Sequence, residues 1–189
     1  MKPIRTAIIV FAFWTIAVGG IYPLFMTGIG ALFFPRAAQG SMISAGGKVV
    51  GSSLMAQEFS SERYFHERPS ATGYNAASSG ASNQGYTSAQ LKKDFDQRKA
   101  DWLKSTGAAN APSEMLYASG SGVDPHISPP AAELQVPAVA AARHFSSEQQ
   151  AALLSLVRAH EEQPQLGFLG EPRVNVLELN LAMDAAFPG

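Results

Sequence analysis

Residues 6–35, TAIIVFAFWTIAVGGIYPLFMTGIGALFFP, decide the plan of this protein. They lie between Arg5 and Arg36 and carry no formal charge, and the rest of the chain has no similar run. An α-helix needs about 20 apolar residues to cross a bilayer core, so the run can span a membrane once. The sequence therefore predicts a single N-terminal transmembrane helix, with residues 6–35 as the anchor region and a core at about 7–27.

The length and the end of this run favour a retained anchor over a cleaved signal peptide. A signal peptide has an apolar core of about 7–15 residues and then a small-x-small cleavage site, whereas residues 33–36 read FFPR. Lys2 and Arg5 precede the run, and positive charge favours the cytoplasmic side. We therefore expect residues 1–5 to form a cytoplasmic tail and the large domain to lie outside the cytoplasm.

The composition of the remaining chain excludes several classes of protein. From Arg36 onward there are 12 basic and 15 acidic residues, so no basic surface for nucleic acid is expected. The chain contains no cysteine, which excludes disulfides, thiol catalysis and cysteine-based metal sites. Residues 36–47 are small and Gly-rich and predict a stalk, and residues 48–189 predict one soluble extracytoplasmic domain.

The soluble region has the pattern of a mixed α+β domain in which helices are in the majority. Polar N-cap residues mark four helix starts, and these are Thr87 or Ser88, Ser128, Ser146 and Asn175. Gly107 should end the first helix and Pro137 should kink the second. Short strands are predicted at 48–51 and 115–117, and residues 174–181 fit a helix or a strand.

Residues 60–86 predict a long loop pinned by aromatic side chains, and long loops inside compact domains are often functional. The arginines beside Pro69 and Pro172 allow two interpretations, either turns with salt bridges or a shaped surface for a protein partner. The sequence alone leaves both open.

No run carries a convincing catalytic or ligand-binding pattern. Ser121, Asp124 and His126 suggest a serine hydrolase, but a nucleophile elbow needs glycine two residues before the serine, where Ser119 stands. The four histidines lack the spacing of a helical zinc site, and phosphate-binding glycine loops are absent. We therefore predict no catalytic, cofactor-binding or metal-binding residue, and an anchored extracytoplasmic chaperone or hydrolase stays open as one interpretation.

Several runs in a fixed order resemble one known family, the C subunit of the Kdp-type potassium-transporting P-type ATPase, or KdpC family. The similar runs are GGxYP at 19–23, GSSLMAQEF at 51–59, YFHxRPSA at 64–71, ASxSGxD at 118–124 and GxPxVNxxELNLA at 170–182. Two small departures occur, because Met55-Ala56 stands where the family usually shows Ile-Gly and Ala81 interrupts a G-S-N run. The resemblance covers nearly the whole chain.

The resemblance implies a non-catalytic accessory subunit of an ATP-driven, high-affinity potassium importer in the bacterial inner membrane. Its partners would be membrane lipid, a channel-like potassium-binding subunit and a P-type ATPase pump subunit, and K⁺, ATP and Mg²⁺ would be handled by the complex. The family is described as a catalytic chaperone that promotes ATP binding by the pump subunit. The expected topology disagrees in part, because a domain outside the cytoplasm cannot touch cytoplasmic ATP.

The resemblance and the aromatic and charged runs together nominate residues for partner contact. The candidates are Gly19, Gly20, Tyr22, Pro23, Tyr64, Phe65, Arg68, Asp124, Arg173 and Asn175. Small residues in the anchor let a neighbouring helix approach closely. We therefore expect the anchor to serve as a docking helix as well as a membrane tether.

Overall fold

The computed structural model describes residues 2–188. The chain divides between Val49 and Val50 into two compact units. The first unit carries the apolar helix, and the second is a mixed domain with more helix than strand. The predicted fold class, a single N-terminal apolar helix followed by an α+β domain, is confirmed.

The apolar helix runs from Lys2 to Phe33, and among residues 2–188 it is the one helix long and apolar enough to cross a membrane. It consists of α1 (Lys2–Ile16), a π-helical turn (Ala17–Ile21) and α2 (Tyr22–Phe33). At 1.5 Å per residue, its 32 residues extend about 48 Å. This exceeds a hydrocarbon core of about 30 Å, so the helix can span with tilt.

The predicted stalk is partly ordered. A single helical turn, α3 (Pro35–Ala38), is followed by β1 (Met42–Ala45) and β2 (Lys48–Ser52), which form a two-stranded sheet. Gly46 and Gly47 have φ angles of +58° and +78° between the two strands. The Gly-rich composition that predicted a stalk thus also supplies the turn of a hairpin.

The four long helices of the domain begin where the N-caps predicted. They are α4 (Ala89–Thr106), α5 (Pro129–Ala142), α6 (Ser147–Ala159) and α7 (Val176–Ala186). Ser146 and Gln149 form a reciprocal capping box, and Gly107 ends α4 with a φ angle of +67°. Pro137 lies inside α5, which continues past it to Ala142.

A small antiparallel sheet joins three segments of the C-terminal half of the domain. It consists of β3 (His126–Ile127), β4 (Glu161–Glu162) and β5 (Arg173–Asn175), with β5 in the centre. In β5, Val174 pairs with Ile127 on one side and Glu161 on the other. The C-terminal region is therefore a short strand that changes directly into helix α7.

The predicted strand at 115–117 is wrong, because Ser113–Met115 forms a 3₁₀ turn instead. The amide of Met115 donates to the Pro112 carbonyl and that of Leu116 to the Ser113 carbonyl. Met115 and Leu116 are both buried. A short apolar run fits a buried turn as well as a strand.

The core of the domain lies between α5, α6, α7 and the central strand. Its fully buried members include Phe65, Ile127, Leu153, Val174 and Leu179. Phe65 comes from the long loop, so the core fixes one end of that loop on the helices. The core therefore positions the run around Tyr64 and Phe65, two of the residues nominated for partner contact.

Candidate partner-binding surfaces

Two of the sequence runs pack against each other along the long loop. The amide of Ser119 donates to the Pro69 carbonyl at 2.9 Å, and that of Gly80 donates to the Ser121 carbonyl at 2.8 Å. The Ser70 hydroxyl donates to the Gly122 carbonyl at 2.5 Å. Residues 69–80 are therefore held by hydrogen bonds to residues 119–122, in addition to the aromatic side chains that the sequence suggested.

Gly122 is required where these two runs meet. Its φ angle is +71°, and a Cβ atom there would lie 2.5 Å from Thr72 Oγ1 and 2.8 Å from the Gly80 carbonyl oxygen. Ser70 completes the turn by accepting the amides of Thr72 and Tyr74. This close approach explains why the run at 118–124 has a glycine at position 122.

The structure brings together two of the nominated residues, Arg68 and Asp124. Arg68 Nη1 lies 2.9 Å from Asp124 Oδ2, and the amide of His126 donates to Asp124 Oδ1. Burial alone would raise the pKa of Asp124, but hydrogen bonds from His126 and Arg68 and the Arg68 charge hold it below its usual value. Both side chains remain a little under one third exposed, so this pair can also face a partner.

Glu67 precedes Arg68 and was not singled out from the sequence. Its carboxyl group has a strongly raised pKa. Glu67 is 5% exposed, and its Oε2 accepts the amide of Gln57 at 2.9 Å. Its Oε1 has no hydrogen-bond partner among residues 2–188. Burial, opposed by the Gln57 hydrogen bond and aided by the Asp124 charge, raises the pKa of Glu67 to about 8.

Tyr64 lies in a second polar cluster that joins the loop to α5 and α7. Its hydroxyl donates to Asp184 Oδ2 at 3.0 Å, and Arg143 Nη2 donates to Asp184 Oδ1 at 2.6 Å. The Arg143 guanidinium also lies 4.9 Å from the centre of the Tyr64 ring. The Asp184 side chain is 43% exposed, which leaves the outer edge of this cluster open to a partner.

Two nominated residues have internal roles. Phe65 is fully buried in the core, and Asn175 is 4% exposed, with its Nδ2 donating to the Ser53 carbonyl and its Oδ1 accepting the Glu178 amide. Neither side chain reaches the surface of the folded domain. Their sequence pattern therefore reflects the packing of the domain rather than a contact surface.

Of the remaining nominated residues, Gly19, Tyr22, Pro23 and Arg173 are exposed and Gly20 is half-buried. Arg173 forms an ion pair of 2.9 Å with Glu162 across the edge of the small sheet. Gly19 and Gly20 lie in the π-helical turn, and a Cβ atom at either position would meet nothing within 4 Å. Tyr22 and Pro23 begin α2, where none of the residues is buried. Partner contact at these positions stays a prediction.

A cleft of about 530 Å³ lies beside α4 and α5, lined by Glu62, Tyr64, His66, Arg98, Trp102 and Gln135 among others. Burial lowers the pKa of His66, and the Trp102 Nε1 has no hydrogen-bond partner among the described residues. Both charge signs line the cleft. Its walls do not select one chemical class of ligand.

The described part of the chain contains no group of three or more His, Cys, Asp or Glu residues that could hold a metal ion. The Ser121 hydroxyl accepts the Val123 amide at 3.2 Å. Within residues 2–188 no hydrogen bond joins it to His126, whose Nδ1 lies 3.6 Å from Asp124. The Ser121 hydrogen bond is that of a serine turn, and the absence of a catalytic residue stays a prediction.

Sequence reasoning missed the buried polar residues Glu67, Gln135 and Asn180 and the exposed apolar segment at 164–170. The amide of His66 donates to Gln135 Oε1 at 2.8 Å, a contact over 69 positions that no local pattern announces. The exposed segment did have a signal, since apolar residues stand between two glycines in LGFLG. That spacing is typical of a tight turn rather than of a core element.

Comparison with known proteins gives one consistent result. Residues 4–185 match the family model described as KdpC, the K⁺-transporting ATPase c chain. The chain is 49% identical over 188 residues to the potassium-transporting ATPase KdpC subunit of Citrifermentans bemidjiense, covering 97% of both chains. It is 50% identical to the KdpC subunit of Geobacter sulfurreducens over the full length of both. It is 46% identical to that of Rhodopseudomonas palustris, covering 100% of this chain and 99% of the relative.

Proposed function

The chain belongs to the KdpC family, and we propose from this premise that it docks on the channel-like and pump subunits of a potassium-transporting ATPase. As a KdpC subunit it is an accessory component and not the catalytic pump. The observation that carries the proposal is the family match over residues 4–185, which includes the anchor as well as the domain. K⁺, ATP and Mg²⁺ are handled by the other subunits, and this chain contributes assembly.

The anchor is proposed as one of two contact regions. Gly19 and Gly20 expose backbone on a helix that has no buried residue, and small residues allow close helix packing in a membrane. Tyr22 and Pro23 follow at the start of α2. A transmembrane helix of a partner subunit would pack against this part of the anchor.

The domain is proposed as the other contact region, on the extracytoplasmic side of the bacterial inner membrane. Lys2 and Arg5 at the N-terminal end support an orientation with the N-terminus in the cytoplasm. In that orientation Arg68, Asp124 and Arg173 would face a partner at the potassium entrance. Direct contact of the domain with cytoplasmic ATP would require the opposite orientation.

Two measurements test this function. In cells that lack their own copy of the chain, an affinity-tagged copy should restore growth in potassium-poor medium and purify in mild detergent together with the pump and channel subunits. A chain that purifies alone, with potassium uptake unchanged by its deletion, would overturn the proposal. Reporter fusions at residue 189 test the orientation separately, since alkaline phosphatase is active only outside the cytoplasm and should be active here.

A further inference from the structure

The segment between β4 and β5 is a tight hairpin with an ordered backbone. The amides of Gln165 and Leu169 each donate to the carbonyl of the other residue, at 3.0 and 2.9 Å. The amide of Gly167 donates to the Pro164 carbonyl at 3.0 Å. These bonds fix the positions of the side chains that the hairpin carries.

The tip of this hairpin presents large apolar side chains to solvent. Leu166 is 83% exposed, Phe168 is 74% exposed and Leu169 is 50% exposed; these three residues are called the apolar tip below. Single exposed apolar residues are ordinary, but three within four positions of one tight turn concentrate apolar side chains in one place. Contiguous apolar patches mark interaction sites.

The backbone of the tip supports the same conclusion. Leu166 has a φ angle of +55°, a left-handed conformation that is unfavourable for a residue with a Cβ atom. Gly167 and Gly170 take the other left-handed positions, at +82° and +89°. A strained leucine at the most exposed point of a hairpin gives nothing to the core, and strain of this kind persists at binding sites.

The charges around the tip indicate which surface covers it. Residues 161–172 contain Glu161, Glu162 and Glu171 and no basic residue. Glu162 is paired with Arg173, whereas Glu171 forms no ion pair within residues 2–188. Apolar segments that enter anionic bilayers are flanked by lysine and arginine, so acidic flanks oppose insertion into lipid. They complement a protein pocket with an apolar floor and a basic rim.

We propose that the apolar tip inserts into an apolar pocket with a basic rim on another subunit of the potassium-transporting complex. This inference rests on the proposed function and names a contact surface for it. The tip is too small to be a whole interface, since stable contacts bury about 800 Å² on each partner. In the complex the apolar tip is the buried centre of a larger contact. The membrane that both partners share raises their effective concentration.

Photo-crosslinking in the intact complex tests the tip directly. All subunits are expressed together with benzoylphenylalanine in place of Phe168, and a second variant carries it in place of Tyr86, which is 95% exposed elsewhere on the domain. The expected result is a light-dependent adduct between position 168 and a subunit of the complex, identified by mass spectrometry and absent for position 86. An adduct with lipid alone, with a second copy of this chain or with no molecule overturns the proposal.

Retention in the complex gives the second test. The triple substitution L166S/F168S/L169S should reduce the amount of this chain that purifies with the other subunits by about tenfold, and Glu171→Lys should reduce it further at low salt. The melting temperature of the triple variant should match the wild type, because the three side chains lie largely outside the core. A variant that assembles as well as the wild type overturns the tip alone, whereas failure of the wild type to assemble overturns the proposed function.

Discussion

Asn180 binds both backbone polar groups of Phe65. Its Oδ1 accepts the Phe65 amide at 2.9 Å and its Nδ2 donates to the Phe65 carbonyl at 3.0 Å. Asn180 is 2% exposed and Phe65 is fully buried. A side chain of α7 thus takes the place of a neighbouring strand and lets a loop segment enter the core with its backbone paired.

Replacing Asn180 by leucine should destabilise the domain by about 2–4 kcal/mol, because two buried backbone groups lose their partners. Urea unfolding of the full chain in detergent, followed by Trp102 fluorescence in a Trp14→Phe background, measures this loss. Gln163→Ala is the matched control, since Gln163 is exposed and its side chain donates to nearby Glu161 Oε1 at 2.8 Å. A similar change for both variants would show that the Asn180 contact is not a main support of the fold.

The contribution of Glu67 to the stability of the domain should fall as the pH rises between about 4.5 and about 8, while the lowered pKa of His66 acts in the opposite direction up to about 6.5. The pKa of Glu67 is raised from 4.5 to about 8 in the folded protein, so in this window the folded state binds one more proton than the unfolded state. The free energy of unfolding then decreases by up to about 1.4 kcal/mol per pH unit. Glu67→Gln cannot titrate and should remove this slope, and an unchanged slope in the variant would assign the effect to another group.

Gly122→Ala should destabilise the domain by about 2–4 kcal/mol, since the added methyl group combines a left-handed φ with contacts below 3 Å. Residues 69–80 should then be cleaved faster by protease than in the wild type. Gly120→Ala is the control, because a Cβ atom at Gly120 meets nothing within 4 Å and its φ is not left-handed. Thermal melting and limited proteolysis of the two variants decide the outcome.

Substituting Gly19 and Gly20 together by leucine should reduce co-purification with the partner subunits about tenfold, while the melting temperature of the domain stays unchanged. The two glycines have open space at their Cβ positions, so leucine is tolerated by the chain itself but blocks close approach of another helix. Gly28→Leu, also on the anchor and also in open space, is the control. If the wild type, the double variant and Gly28→Leu all co-purify equally with the partner subunits, this turn does not contact a partner.

The parts of the structure that the sequence predicted well are those specified by neighbouring residues. Ser88, Ser128, Ser146 and Asn175 accept amides three positions ahead, so four helix starts depend on local chemistry alone. The uncharged run likewise predicts its helix by length.

The parts that could not be predicted depend on residues far apart in the chain. The burial of Phe65 requires Asn180, 115 positions away, and the close approach of Gly122 requires Thr72 and Gly80. Phe65 and Asn175 were nominated for partner contact from their sequence pattern. That pattern does not distinguish a residue that packs in the core from one that binds a partner. The apolar tip had a local signal, the glycines at 167 and 170 around apolar residues, but the exposure of its side chains depends on the folded domain.

The π-helical turn at Ala17–Ile21 changes how the anchor can be analysed by substitution. A π turn inserts one extra residue, and each residue of an α-helix advances by about 100° around the axis. Positions before Ala17 and after Ile21 therefore belong to two helical wheels offset by about that angle. A row of side chains that faces one neighbour in the first half of the bilayer faces a different direction in the second, so one helix has two separate lines of contact.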